Sequence, residues 1–399
     1  MSASPVPLLR SLGPRDPQQG HRAASPLELL TDLCFVVAIS QSAALLHHEV
    51  SAGSPGHGLL SFVLSFFGIF WAWLNFTWFG SAYDNDDVGY RLVTILQILG
   101  SLVYAAGITD MFSGSYELGV AGYVVMRVAL VVQWLRAARA DPDHRSTCYR
   151  YVTGISVVQV LWLGLLLLPA ELAVPAFLVL VLGEISVPVW AERPGLTPWH
   201  PHHIAERYGL FFIIVLGETI LSTTVAIQEA GTGGHLSPGV AGVAAGGVLI
   251  VFSTWWLYFS ADAGAVLADA QGRRDWVEFV FGYGHYAVLA SGAAVGAGLA
   301  VRVDTWTSAS EAAPLVSAAM VSVPTAALLA SLWLVVLRPE GDRVRSAVRY
   351  AAAVLVSLAG MVTPVPELVA GLACVGLLTL EVRAARYPDR SAGSPRSSS

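Results

Sequence analysis

Residues 200–228 read HPHHIAERYGLFFIIVLGETILSTTVAIQ. Four polar or ionisable side chains, His200, His202, His203 and Glu206, crowd the start; an apolar run follows, with Glu218 set in its middle. About 20 apolar residues at about 1.5 Å rise cover a hydrocarbon core of roughly 30 Å, so this run predicts a membrane helix. A carboxylate inside it is costly unless it is paired, protonated or facing water. Glu218 therefore needs a partner or a task.

Composition generalises the reading to the whole chain. Of 399 residues, 55% are hydrophobic and only 13% charged, against about 25% charged in soluble domains. Mean hydropathy is +0.62. The chain reads as an all-α polytopic membrane protein. Cys34, Cys148 and Cys374 lie far apart without CxxC spacing, which suggests neither a zinc site nor a disulfide framework. Residues 1–27 have no apolar core, so a cleavable signal peptide is not expected.

Twelve apolar spans follow in order, at residues 28–47, 58–80, 90–109, 117–138, 150–169, 172–190, 203–229, 238–260, 276–301, 313–337, 347–362 and 366–383. All 22 basic residues are arginine. With the N-terminus inside, 20 of the 22 fall in or beside inside loops, leaving Arg302 outside and Arg127 within a span. The positive-inside rule then puts both termini in the cytoplasm and the chain in the inner membrane.

Trp134-Leu135-Arg136, a basic loop and Arg150-Tyr151 recur as Trp333-Leu334, a basic loop and Arg349-Tyr350. Glu184 and Glu381 close the sixth and twelfth spans, and Glu28 and Glu206 open the first and seventh. This predicts two parallel six-helix repeats, residues 28–190 and 203–387, joined by a cytoplasmic linker at 191–202. Residues 1–27 and 388–399 read as disordered ends.

PLELLTDLCFVVAIS at the first span, WAWLNFTWFGSAYDNDDVGYRL after the second, and HHIAERYGLFFIIVLGETIL at the seventh resemble the bacterial low-temperature-requirement A membrane family. The positions that match its pattern are Glu28, Asp32, Trp73, Asn75, Trp78, Asp84, Asn85, Asp86, Asp87, Arg91, His203, Glu206, Arg207, Gly217 and Glu218. The family name describes a growth phenotype, so the resemblance implies a bacterial multi-pass membrane protein and brings no catalytic assignment with it.

Position must supply the chemistry. Glu28 and Asp32 are four apart, and His203 and Glu206 three apart, so each pair shares a helix face at a span entrance. Interfacial acids at helix starts account for them; so does a vestibule that binds a proton or cation. Trp71, Asn75 and Trp78 form one stripe on the second span, as packing and aromatic belt or as ligand contacts. Gln97, Glu184 and His285 are further candidate substrate contacts. Asp84, Asp86 and Asp87 form either a solvated acidic loop or a Mg²⁺ site. Between the eighth and ninth spans, Asp269-x-x-Gly272-Arg273-Arg274 faintly resembles the gating loop of major-facilitator transporters. The deep charges suggest an Arg127–Glu218 pair between the halves, with Gln133, Gln159 and His285 as neighbours.

Two active functions compete with a third, non-catalytic one. One is a proton- or cation-coupled secondary transporter of a small molecule, with Glu218, His203, Glu206, Arg127 and Asp32 as candidate working residues between the halves. The other is an intramembrane enzyme acting on a lipid or isoprenoid substrate, with Asp84, Asp86 and Asp87 binding a Mg²⁺-diphosphate head, a Trp-lined cavity holding the apolar chain, and Glu218 or His203 as acid or base. A non-catalytic membrane component is a third. P-loop, GxSxG and HExxH motifs are absent, and the arginines are spread over membrane-flanking loops, which argues against nucleic-acid binding.

Overall fold

The computed structural model describes residues 8–16, 19–20, 22–232, 238–271, 276–336 and 343–386. Its helices are α1 Pro26–Ser51, α2 Pro55–Tyr83, α3 Val88–Phe112, α4 Glu117–Ala140, α5 Arg145–Leu165, α6 Ala170–Ala191 and α7 Pro201–Thr232. There follow α8 Pro238–Phe259, the short α9 Ala263–Ala270, α10 Val277–Trp306, α11 Pro314–Val335, α12 Arg343–Ala359 and α13 Pro366–Arg386. Among the described residues, eleven spans are long and apolar enough to cross a membrane. The twelfth long helix, α5, turns Val157, Val160 and Leu161 outward.

Local signals set the ends. Ser25 caps α1 in a reciprocal box with Glu28, and Pro26 opens the helix where a missing N–H costs nothing. Asp87 caps α3 by accepting from the Tyr90 N–H, and Asp262 caps α9 through Ala265. The end of the bundle carrying the N-termini of α1 and α7 is termed inner, and the opposite end outer.

α1, α2, α7 and α10 pack at the centre, with α1 against both α7 and α10. Helices α2 and α10 are the most enclosed, with 78% of their most apolar stretch buried. Neighbour relations run in parallel through the chain: α1 on α2 and α3, α3 on α4, α4 on α5, α5 on α6, and likewise α7 on α8 and α10, α10 on α11, α11 on α12, α12 on α13. One relation differs. Helix α8 lies directly on α13, so closely that a Cβ on Gly246 would sit 2.5 Å from the Glu367 carbonyl oxygen, whereas α6 has no such backbone contact with α2.

The chain before α1 departs from the expectation of disorder over its described part. Leu12 is buried, the Arg10 N–H donates to Asp87, and the Arg15 and Arg22 guanidiniums donate to carbonyls at the end of α2. The 191–202 linker also packs: Trp199 is buried and the His200 N–H donates to the Ser81 hydroxyl. Buried Arg22 needs acceptors, which the end of α2 supplies, and Trp199 packs edge-on against Trp78 of α2. Arg273, Arg274, Arg338 and residues 388–399 lie outside the described residues.

Candidate functional site

Among the described residues, three groups of polar side chains hold the expected site residues, two buried in the bundle and one in the loop after α2. The first is centred on Glu184 of α6, which is fully buried. Its Oε1 accepts from the Tyr123 hydroxyl at 2.9 Å, Gln159 Nε2 at 3.2 Å and Trp162 Nε1 at 3.2 Å. Its Oε2 accepts from Trp71 Nε1 at 3.0 Å and forms an ion pair with Arg127 Nη2. Helical spacing assembles this set: Tyr123 and Arg127 are four apart on α4, and Gln159 and Trp162 three apart on α5. Arg127 Nε and Nη1 and Gln159 Oε1 are buried without a hydrogen-bond partner.

A cavity lies on each side of this group. Toward the outer end, a small cavity with room for about 20 Å³ is lined by Tyr104, Tyr123, Trp162 and Phe177. Toward the inner end, one with room for about 50 Å³ is lined by Asn75, Trp78, Trp134, Tyr151, Glu192 and Tyr283. Helix α6 gives the order, since Phe177, Glu184 and Pro188 follow one another along it. Tyr283 of α10 lies 5.1 Å, ring to ring, from Trp71, so α10 forms one wall of the inner cavity. The space exists because α2 stands off from α6.

The second group joins the halves at the inner end. Arg207 Nη1 lies 3.1 Å from Glu28, and Arg207 Nη2 pairs with Asp32, which also accepts from Trp73 Nε1 at 2.7 Å. His203 Nε2 is 3.3 Å from Glu28, and Arg22 is 3.8 Å from Glu28 and 3.4 Å from Asp84. Burial pushes the Asp84 carboxyl above its usual range despite Arg22, and burial lowers the Arg22 guanidinium. Glu206 is half-buried and accepts from the Ala24 N–H.

The third is the acidic loop. Its carboxylates do not converge: Asp84 faces Arg22, exposed Asp86 takes a bidentate contact from Arg91, and Asp87 accepts from Arg10 N and Arg136 Nη2. For Asp87, burial alone would raise the carboxyl, but those donors and Tyr90 N hold it below the usual range. Among the described residues, no group of three His, Cys, Asp or Glu side chains is disposed to hold a metal. Each of the three acids has its own arginine partner instead of a shared point of convergence.

Other expected residues fall differently. Arg127 pairs with Glu184 and not with Glu218, which accepts from the Ser40 hydroxyl and is only half-buried. The Arg127 ion pair therefore lies within the first half, not between the halves. Span positions gave depth but not rotation, and α6 turns its carboxylate inward where α7 turns Glu218 partly out. The unread signal was the polar spacing on α4 and α5. Gln159 does neighbour the pair; Gln133 donates to the Tyr90 carbonyl instead. His285 is a satisfied core residue, with Nδ1 on the Phe281 carbonyl and Nε2 on Tyr258. Asn75 donates to the Trp71 carbonyl, Trp78 to Tyr208, and Gln97 is buried with Nε2 unmatched. Arg302 lies within α10, not in an outer loop, bonded to Glu367 and the Pro364 carbonyl.

A family model described as Bacterial low temperature requirement A protein (LtrA) matches residues 23–382. Over 278 residues the chain is 27% identical to a protein of Rhizobium meliloti (strain 1021) described as uncharacterized protein RA0937. That match covers 67% of this chain and 66% of the relative, so the chain spans just under two thirds of the curated relative's length. No solved structure matches the chain.

Proposed function

The chain belongs to the bacterial low temperature requirement A family, and from that premise we propose that it is a proton-coupled secondary transporter whose solute passes between α2, α4, α5 and α6. The observation that carries this reading is the buried Glu184–Arg127 pair with a cavity on either side of it along the helix axes. Ionisable groups at such depth are costly, and pathways are where membrane proteins keep them. Glu184 is the proton carrier, Arg127 its counter-charge, and Trp71 the indole between the inner cavity and the pair.

Duplication and orientation belong to the same proposal. Ser40 and Glu218 are counterparts if Glu28 and Glu206 are, and they bond to each other across a separation of 178 residues. Counterparts meet where a two-fold axis passes. The parallel neighbour relations of the halves support that axis along the membrane normal. The arginine distribution supports a cytoplasmic inner end and a place in the bacterial inner membrane. An enzyme acting on a metal diphosphate is less well supported, since each acid of the 84–87 loop faces an arginine.

Reconstituted vesicles holding a trapped pH indicator test the reading. A panel of organic acids, amines and sugars should contain a solute that moves protons with the native chain and not with Glu184→Gln. Proton movement undiminished in Glu184→Gln, or absent across the panel, would count against it.

A further inference from the structure

Around Glu184, two indoles, a phenol, an amide and a guanidinium aim five donors at one carboxylate. That carboxylate does not exhaust them, because Arg127 Nε and Nη1 stay buried without an acceptor. We propose that this cage is a carboxylate receptor kept filled by the protein's own Glu184, and that the transported solute is a small organic acid with an apolar or aromatic body. The inference rests on the transport reading above and names its solute class.

Charge balance sets the order of events. Among the side chains that touch Glu184 (Trp71 from α2, Tyr123 and Arg127 from α4, Gln159 and Trp162 from α5), Arg127 is the one cation and only Tyr123 titrates besides it. A second anion entering beside ionised Glu184 would set two negative charges against one positive in a site of low dielectric. A proton bonded to Glu184 removes that conflict. The Arg127–Glu184 ion pair breaks, an O–H bond forms at Glu184, and Arg127 pairs with the solute carboxylate. The site stays neutral throughout, so one proton accompanies each carboxylate. Trp78, Trp134 and Tyr283 on the inner side and Tyr104, Trp162 and Phe177 on the outer side offer aromatic surface to the rest of the solute.

Benzoate, with benzamide as its uncharged control, is the probe. Trp71 and Trp162 touch the cage, so tryptophan fluorescence and thermal unfolding of the purified full chain both report on it. Glu184→Gln imitates the protonated acid and should bind benzoate at about pH 8 at least about tenfold more tightly than the native chain. Benzoate binding to the native chain should take up one proton per bound benzoate, read as a pH rise in weakly buffered solution. The double variant Glu184→Gln with Arg127→Met should respond to neither compound. Equal responses to benzoate and benzamide in Glu184→Gln, or benzoate binding that survives Arg127→Met, would overturn the receptor. Were Glu184→Gln not to fold, proton uptake by the native chain on adding benzoate decides alone, and its absence would overturn the receptor. Benzoate binding without proton-linked flux would leave the receptor standing and remove the transport reading. Flux driven only by amines or sugars, with no benzoate binding, would do the reverse.

Discussion

Arg207 holds two carboxylates with one guanidinium, Glu28 and Asp32, and none of the three is open to solvent. Removing the cation leaves Glu28 with His203 at 3.3 Å and Arg22 at 3.8 Å and takes the ion pair from buried Asp32, a change that typically costs about 3–5 kcal/mol. Arg207→Met should therefore lower the thermal midpoint sharply in detergent. Arg91→Met, which breaks the exposed contact with Asp86, should leave the midpoint unchanged. Equal midpoints for the two variants would mean that the inner cluster is hydrated and weak. This cluster was largely legible in the sequence, because Glu28, Asp32 and His203 announce themselves by sharing faces at span entrances. The Glu184 cage was not. Depth can be counted from span ends, but which carboxylate meets Arg127 depends on helix rotation and on the order of helices in the bundle.

At the scale of elements, the twelve expected spans correspond to the twelve long helices, because apolar length in a lipid-spanning chain leaves little choice of structure. Helix α9 was missed because eight residues are too few to read as a span. Helix-to-helix distance is also hidden from hydropathy, and small residues decide it. A Cβ on Gly122 of α4 would lie 2.3 Å from the Tyr104 backbone nitrogen of α3, whereas one on Gly217 of α7 would meet nothing within 4 Å. Gly122→Ala should cost about 1–3 kcal/mol through displaced backbone. Gly217→Ala should be neutral or slightly stabilising, as alanine is the better helix former. Unfolding midpoints of the two variants check the contrast; a neutral Gly122→Ala would mean that the α3–α4 contact is loose enough to shift.

At the scale of the molecule, one asymmetry organises the proposal. Helix α13, last of the second half, closes directly on α8, while its counterpart α6 in the first half leaves room for an ion pair and two cavities. A route through the first half needs the inner and outer ends to face opposite compartments, and exposed positions at each end make that measurable. Asp86 and Ala268 lie exposed at the inner end, one in each half, and Ser115 lies exposed at the outer end. Cys148 and Cys374 are buried, so replacing the partly exposed Cys34 leaves a quiet background for thiol labelling. In intact cells, an impermeant maleimide should modify Ser115→Cys and spare both Asp86→Cys and Ala268→Cys, which should react only after the membrane is opened. Labelling of Asp86→Cys and Ala268→Cys from opposite sides would remove the parallel arrangement of the halves. Labelling of both from outside would invert the chain and contradict its arginine distribution. The path would survive that inversion, because its order of outer cavity, Glu184 pair and inner cavity is fixed within the bundle, but the compartment supplying the proton would change.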